Sequence, residues 1–203
     1  MNRRPTVLLF DLGGVLIENV GFHRFGELLP RPMELHEMKH GWLSSRAVRR
    51  FESGISSPAD FATEVVSEWD IAITPENFLA QFRTWPQAAS DDAVALIREL
   101  RTQYRVACLS NSNELHWDRS RPLVEQFDVA ISSHLTGRLK PDEEAFLGAL
   151  EECNVSAADV FFFDDSLPNV EAGRTVGIRS FHVEGLTQLK VILAGIRAGR
   201  GSL

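Results

Sequence analysis

Short runs of consecutive apolar residues, each bounded by turn-forming or charged positions, punctuate the chain at 6–10, 105–109, 129–132, 160–163 and 178–183. Unbroken hydrophobicity, rather than strict alternation, is expected of strands covered on both faces, as in a parallel sheet. Apolar residues at helical spacing fill 114–127, 141–152 and 168–176 between the later runs, while 93–103 precedes the second run and 186–197 follows the fifth. Strand and helix therefore alternate, which predicts right-handed crossovers in an α/β fold, a Rossmann-like doubly wound parallel sheet.

The stretch 19–86 departs from this rhythm. It has no strand-like run and several helical patterns, so it reads as an all-helical insert, with 1–18 and 87–203 forming the α/β core. Arg46–Ser53 reaches Gly54, a C-terminal cap, and Ser57-Pro58-Ala59-Asp60 supplies an N-cap, a first-turn proline and an acidic residue. A further helix start lies at Thr74-Pro75-Glu76, and Phe61, Val65, Trp69, Phe78 and Phe82 give the bundle its apolar side.

At 203 residues and 44% hydrophobic content, the chain is long enough for one core domain plus such an insert. A net charge of −7 excludes a binder of nucleic-acid backbone, which needs clustered Lys and Arg. Cys108 and Cys153 are read as free thiols, which with the rest of the composition predicts a cytoplasmic protein. Asn2-Arg3-Arg4 ahead of 7–10 resembles a leader, but Asp11 ends the apolar stretch and makes it a first strand. No run approaches the ~18 apolar residues of a spanning helix, so no membrane is expected as a partner.

Ligands of open parallel sheets bind beyond the carboxyl ends of the strands. Asp11 stands there after the first run, Ser110-Asn111 after the second, Lys140-Pro141 beyond the third, and Asp164-Asp165 at the end of the fourth. Each alone would be an ordinary polar strand end; their order and spacing carry the information.

Phe10-Asp11-Leu12-Gly13-Gly14-Val15-Leu16, Leu109-Ser110-Asn111, Lys140-Pro141-Asp142 and Phe163-Asp164-Asp165 resemble the four motifs of the haloacid dehalogenase superfamily. The insert lies where members with a helical type-1 cap carry it. Asp11 to Gly14 and Asn111 to His116 look most like the branch of alpha-D-glucose-1-phosphate phosphatases. The resemblance implies a phosphohydrolase acting on a small phosphorylated metabolite, sugar phosphates among them, through an aspartyl-phosphate on Asp11. It implies a Mg2+ held by Asp11, the Gly13 carbonyl and Asp165, since a hard cation must bridge two anions. Ser110 and Asn111 would donate to the phosphate while Lys140 adds positive charge and orients Asp11. Asp164 and Asn169 are supporting residues, Asn169 toward Lys140 or a metal-bound water.

The superfamily's phosphatases usually place a second aspartate, the general acid-base, where this chain has Gly13. Such a group is typically worth 10²–10⁴-fold, so its loss needs an explanation. Either the leaving group departs without a proton, as an anomeric sugar oxygen or an acyl carboxylate can, or another residue such as His116, or water, moves the proton. Competing readings are a haloacid dehalogenase-type hydrolase and an inert metal- or ligand-binding protein of the same fold. In the cap, Arg46, Arg49 and Arg50 could meet an anionic substrate but read more readily as a charged helix face in solvent, and Trp69 and Trp85 read as core. Trp42, beside Gly41 in an expected loop, is the exception, a candidate contact for substrate.

Overall fold

A computed structural model describes residues 5–18 and 20–198; Asn2, Arg3 and Arg4, and Asn19 where the insert was read to begin, lie outside them. Strand β1 (Val7–Phe10) is followed by helices α1 (Gly21–Leu28), α2 (Leu35–Ser44), α3 (Arg46–Glu52), α4 (Pro58–Glu68) and α5 (Pro75–Phe82). Then come α6 (Asp91–Arg101), β2 (Arg105–Ser110), the short α7 (Glu114–Trp117) and α8 (Arg121–Val124), and β3 (Val129–Ser132). The single turn α9 (Ser133–Thr136), α10 (Glu143–Cys153), β4 (Val160–Asp164), α11 (Leu167–Thr175), β5 (Arg179–His182) and α12 (Gly185–Arg197) complete the order.

The strands form one parallel sheet in the order β3-β2-β1-β4-β5. Successive side chains leave a strand on opposite faces, so the apolar runs feed two layers. Leu8, Phe10, Val106, Cys108, Phe161 and Phe163 pack with α6 and α12 on one face. Val7, Leu9, Ala107, Leu109 and Phe162 pack with Phe146, Ala149 and Cys153 of α10 on the other. Both cysteines are buried free thiols, as read from the sequence. The chain leaves β1 toward β2 on one side and later returns beside it as β4. The carboxyl ends of β1 and β4 therefore flank the crevice where such sheets bind ligands.

Helices α1 to α5 gather around a third cluster that includes Phe25, Met38, Trp42, Phe51, Phe61, Phe78, Phe82 and Trp85. Ser45, Ser57 and Thr74 cap α3, α4 and α5 through their hydroxyls, and Pro58 and Pro75 stand in the first turns. Gly54, just past α3, takes φ +73°, which glycine adopts without a Cβ penalty.

Two expected elements differ. The helix read over 114–127 is broken into α7, a 3-10 turn at Asp118–Ser120, and α8. Pro122 accounts for the break: it has no N–H to continue the ladder and is accommodated in the first turn of α8. Trp42 lies in α2 rather than in a loop. Gly41 is required there by packing, since a Cβ at that position would stand 2.5 Å from the Trp69 ring. Among the described residues no helix is long and apolar enough to cross a membrane.

Candidate active site

Asp11 follows β1 directly, and its N–H bonds to the Phe163 carbonyl, so the end of β4 holds it in register. Asp164 closes β4 and Asp165 follows it. The three carboxylates can each place an oxygen within 4.8 Å of the others, a group able to hold a metal ion. Lys140 is buried between two of them, its Nζ 3.0 Å from Asp11 Oδ1 and 2.6 Å from Asp164 Oδ2. Burial alone would depress the lysine, but Asp11 and Asp164 more than reverse this and keep it charged. Three acids stand against this buried lysine and the partly exposed Lys39, which meets Asp165. Burial pushes the Asp11 carboxyl up to about 7; Lys140 pulls it down, and Asp164 and Asp165 push it further up. The donor set is all oxygen, carries excess negative charge and is partly open at Asp165, which fits a hard divalent cation.

The two adjacent acids have different surroundings. Asp164 is fully buried and accepts from Lys140, from the Ser166 N–H at 2.8 Å and from Asn169 Nδ2 at 3.0 and 3.1 Å. Its oxygens are occupied in fixing the lysine. Asp165 is more exposed and meets Lys39 Nζ of α2 at 3.1 Å. Asn169, expected near Lys140 or a metal-bound water, therefore acts on Lys140 through Asp164.

Position 13 is set by a tight turn. An isolated bridge joins Gly13 to Ile17, but its bonds run from Ile17 N to Leu12 O and from Gly14 N to Ile17 O. Gly13's own peptide groups take no part, which leaves its carbonyl out of that pairing. The left-handed residue of the turn is Gly14, at φ +76°, where a Cβ would stand 2.6 Å from the Asp165 carboxyl. Glycine is thus demanded at 14 by conformation and by close approach, not at 13.

Asn111 does not offer its side chain to a phosphate. Its Nδ2 donates to the Lys140 carbonyl at 2.8 Å and its Oδ1 accepts from the Lys140 N–H at 2.9 Å, pinning the lysine loop to the end of β2. A phosphate contact from Asn111 would fall to its main-chain N–H. Ser110, at the end of β2, is buried and lines the adjoining cavity.

That cavity, about 120 Å³, lies between core and cap: Leu12, Gly13, Ser110, Asn111 and His116 on one side, Glu52, Trp42, Phe82 and Trp85 on the other. His116 lines it but is not poised to move a proton. Its Nε2 faces the Phe82 carbonyl at 2.8 Å and must carry the hydrogen, and its Nδ1 meets Asn113 Nδ2 at 3.2 Å and must accept. Burial pushes this imidazole down to about 4, so it stays neutral with its one proton engaged. Trp42 is buried among Phe22, Phe25, Phe61, Phe82 and Trp85. It borders the cavity without standing out as a platform. Arg49 and Arg50 pair with Asp142 and Glu64, not with the cavity.

Sequence reasoning missed Lys39 and Glu52. Glu52 ends α3 and looks, by local pattern, like any polar residue at a helix end. Its carboxyl is crowded by protein yet borders the cavity, and burial pushes it up to about 7 against the opposing effects of the Trp42 N–H, Lys140 and Arg49.

Comparison with known proteins fits this geometry. The model of haloacid dehalogenase-like hydrolases matches residues 5–177. A sesquiterpene phosphatase of Aspergillus oryzae is 28% identical over 86% of this chain and 88% of its own length. A phosphatase of Mycobacterium tuberculosis is 27% identical over 88% of this chain and 87% of its own. Among solved structures, a HAD family enzyme of Bacteroides thetaiotaomicron in complex with magnesium and inorganic phosphate superposes with a TM-score of 0.66. It is 24% identical, with 88% of this chain and 93% of that one covered.

Proposed function

The chain belongs to the haloacid dehalogenase-like hydrolase family, and from that premise we propose that it is a Mg2+-dependent phosphatase of small phosphorylated metabolites, sugar phosphates included, with Asp11 as nucleophile. The observation that carries this reading is the cluster of Asp11, Asp164 and Asp165 around one buried lysine, beside a cavity closed by helices. Three acids outnumber Lys140 and Lys39, an excess of negative charge that attracts a divalent ion and, with it, a phosphoryl group. A dehalogenase displacing halide without metal would have no use for Asp165. The family's helical insert corresponds to residues 19–86 and the catalytic core to 1–18 and 87–203.

Each chain residue has a definable part. Asp11 attacks phosphorus in line, and Lys140 orients its carboxylate while Asp164 and Asn169 hold the lysine. Ser110, with the Asn111 main-chain N–H, donates to the phosphoryl oxygens. Asp11, the Gly13 carbonyl and Asp165 would hold Mg2+, which supplies charge neutralisation between carboxylate and phosphate. Phosphatase relatives covering most of the chain support the class, and magnesium with phosphate in a protein of the same fold supports the ion.

A panel of phosphorylated metabolites assayed with Mg2+, with Asp11→Asn as blank, tests the proposal. Phosphate release that requires both Asp11 and Mg2+ is expected. Halide release from 2-haloacids in the presence of chelator, with no phosphate released from any ester, would instead establish a dehalogenase.

A further inference from the structure

Position 13 has no side chain, and His116 has no proton to give. Another group must serve the leaving oxygen, or none does. On the cap wall of the cavity, opposite Gly13 and Ser110, stands Glu52. Two contacts fix it there. One turn earlier on α3, Arg49 Nη2 pairs at 2.5 Å with Asp142 Oδ2, in the loop that carries Lys140. Two residues later, Gly54 runs against α9 so closely that a Cβ would stand 2.4 Å from the His134 carbonyl oxygen. The end of α3 is thus fixed against the segment that follows β3, with Glu52 on the wall of the cavity that Gly13 and Ser110 also line.

We propose that Glu52 supplies the proton transfers for which position 13 has no side chain: its carboxyl protonates the leaving oxygen, and its carboxylate then deprotonates the attacking water. The inference rests on the phosphatase reading above. In the first step the Asp11 oxygen forms a bond to phosphorus, the bond from phosphorus to the ester oxygen breaks, and that oxygen takes the Glu52 proton and leaves as an alcohol. In the second, water attacks the aspartyl phosphate. One proton passes to Glu52, and Asp11 and inorganic phosphate are released, restoring the starting state.

The environment suits both halves. A carboxyl pushed up to about 7 populates acid and base near neutrality, which general acid-base catalysis requires. Trp42 Nε1, 3.4 Å from Glu52 Oε1, donates to the group and orients it. A glutamine would keep an oxygen for that indole while losing the transferable proton, so Glu52→Gln separates chemistry from packing.

The test is steady-state kinetics with Mg2+ on phenyl phosphate and p-nitrophenyl phosphate. Phenol, of pKa about 10, is a poor leaving group without a proton; p-nitrophenol is more acidic and needs less help. Glu52→Gln should lose about 10²-fold or more on phenyl phosphate and less than about tenfold on p-nitrophenyl phosphate. Formate added to Glu52→Ala should restore the phenyl phosphate rate by about tenfold, a rescue that a structural role for the glutamate would not show. Equal losses on the two esters without rescue, or no loss on either, would overturn the role of Glu52 and leave the phosphatase reading standing. No Asp11-dependent phosphate release by the wild type, from these esters or from the metabolite panel, removes the phosphatase reading and this inference together.

Discussion

Replacing Asp11 by asparagine should stabilise the metal-free protein, and increasingly so as pH rises. The buried carboxyl sits at about 7 instead of its ordinary 3.8, through burial and the charges of Asp164 and Asp165, less the opposing pull of Lys140. Between those values the folded chain holds a proton that the unfolded chain has lost, so raising the pH through the window removes stability. The full shift, about three units, corresponds to about 4 kcal/mol. From about pH 5 to about pH 8 roughly two of those units are expressed, or about 3 kcal/mol. Asparagine has no charge to desolvate, and it leaves Lys140 with Asp164 at 2.6 Å, so the buried lysine stays paired. Glu52, pushed up to about 7, and His116, pushed down to about 4, titrate in both proteins and cancel in the difference.

Urea unfolding in chelator reads the effect directly. With a slope of ~2 kcal/mol per molar urea, the midpoint advantage of Asp11→Asn should widen by roughly 1 M or more between the two pH values. A gap that stays constant would refute the reasoning, because Asp11 would then not change protonation between the folded and unfolded states in that window. Mg2+ added at about pH 8 should stabilise the wild type more than the variant, which has lost a ligand.

Asp165→Ala should weaken Mg2+ binding by about tenfold or more in calorimetry, since it removes the open carboxylate of the trio; unchanged affinity would move the ligand role to Asp164. Gly13→Asp in the Glu52→Gln background should recover phenyl phosphate turnover by about tenfold, because it returns a carboxyl to the nucleophile's own turn. The left-handed residue of that turn is Gly14, so an aspartate at 13 meets no φ penalty; a double variant no faster than Glu52→Gln would show that a side chain at 13 cannot reach the leaving oxygen.

The parallel sheet and the polar ends of its strands were legible in the sequence because their signals are local. Asp11, Ser110, Lys140 and Asp164-Asp165 each end or follow an apolar run, and a parallel sheet brings such ends to one edge whatever the loops do. The finer roles were not legible. That Asn111 binds the Lys140 backbone, and that Asn169 acts through Asp164, depends on contacts 29 and 5 residues apart. Which of Gly13 and Gly14 must be left-handed was not legible either, since the bridge to Ile17 settles it in favour of Gly14. In the cap, Gly54 past its end announced α3, and Ser57-Pro58 and Thr74-Pro75 announced α4 and α5, whereas α1 has no side-chain cap and went unread.

Glu52 could not have been found from its neighbours, because what distinguishes it is where α3 ends in space. That placement bears on the order of events. An aspartate at position 13 would sit on the nucleophile's own turn and be present whether or not the cap is closed. A donor on α3 is present only while Arg49 meets Asp142 and Gly54 lies against His134. Proton transfer from Glu52 then depends on those contacts, and a cavity shielded from bulk water strengthens each charge interaction inside it. Burial is also what raises the Glu52 carboxyl to about 7. The packing at the end of α3 therefore positions the acid, and burial gives it a proton to donate.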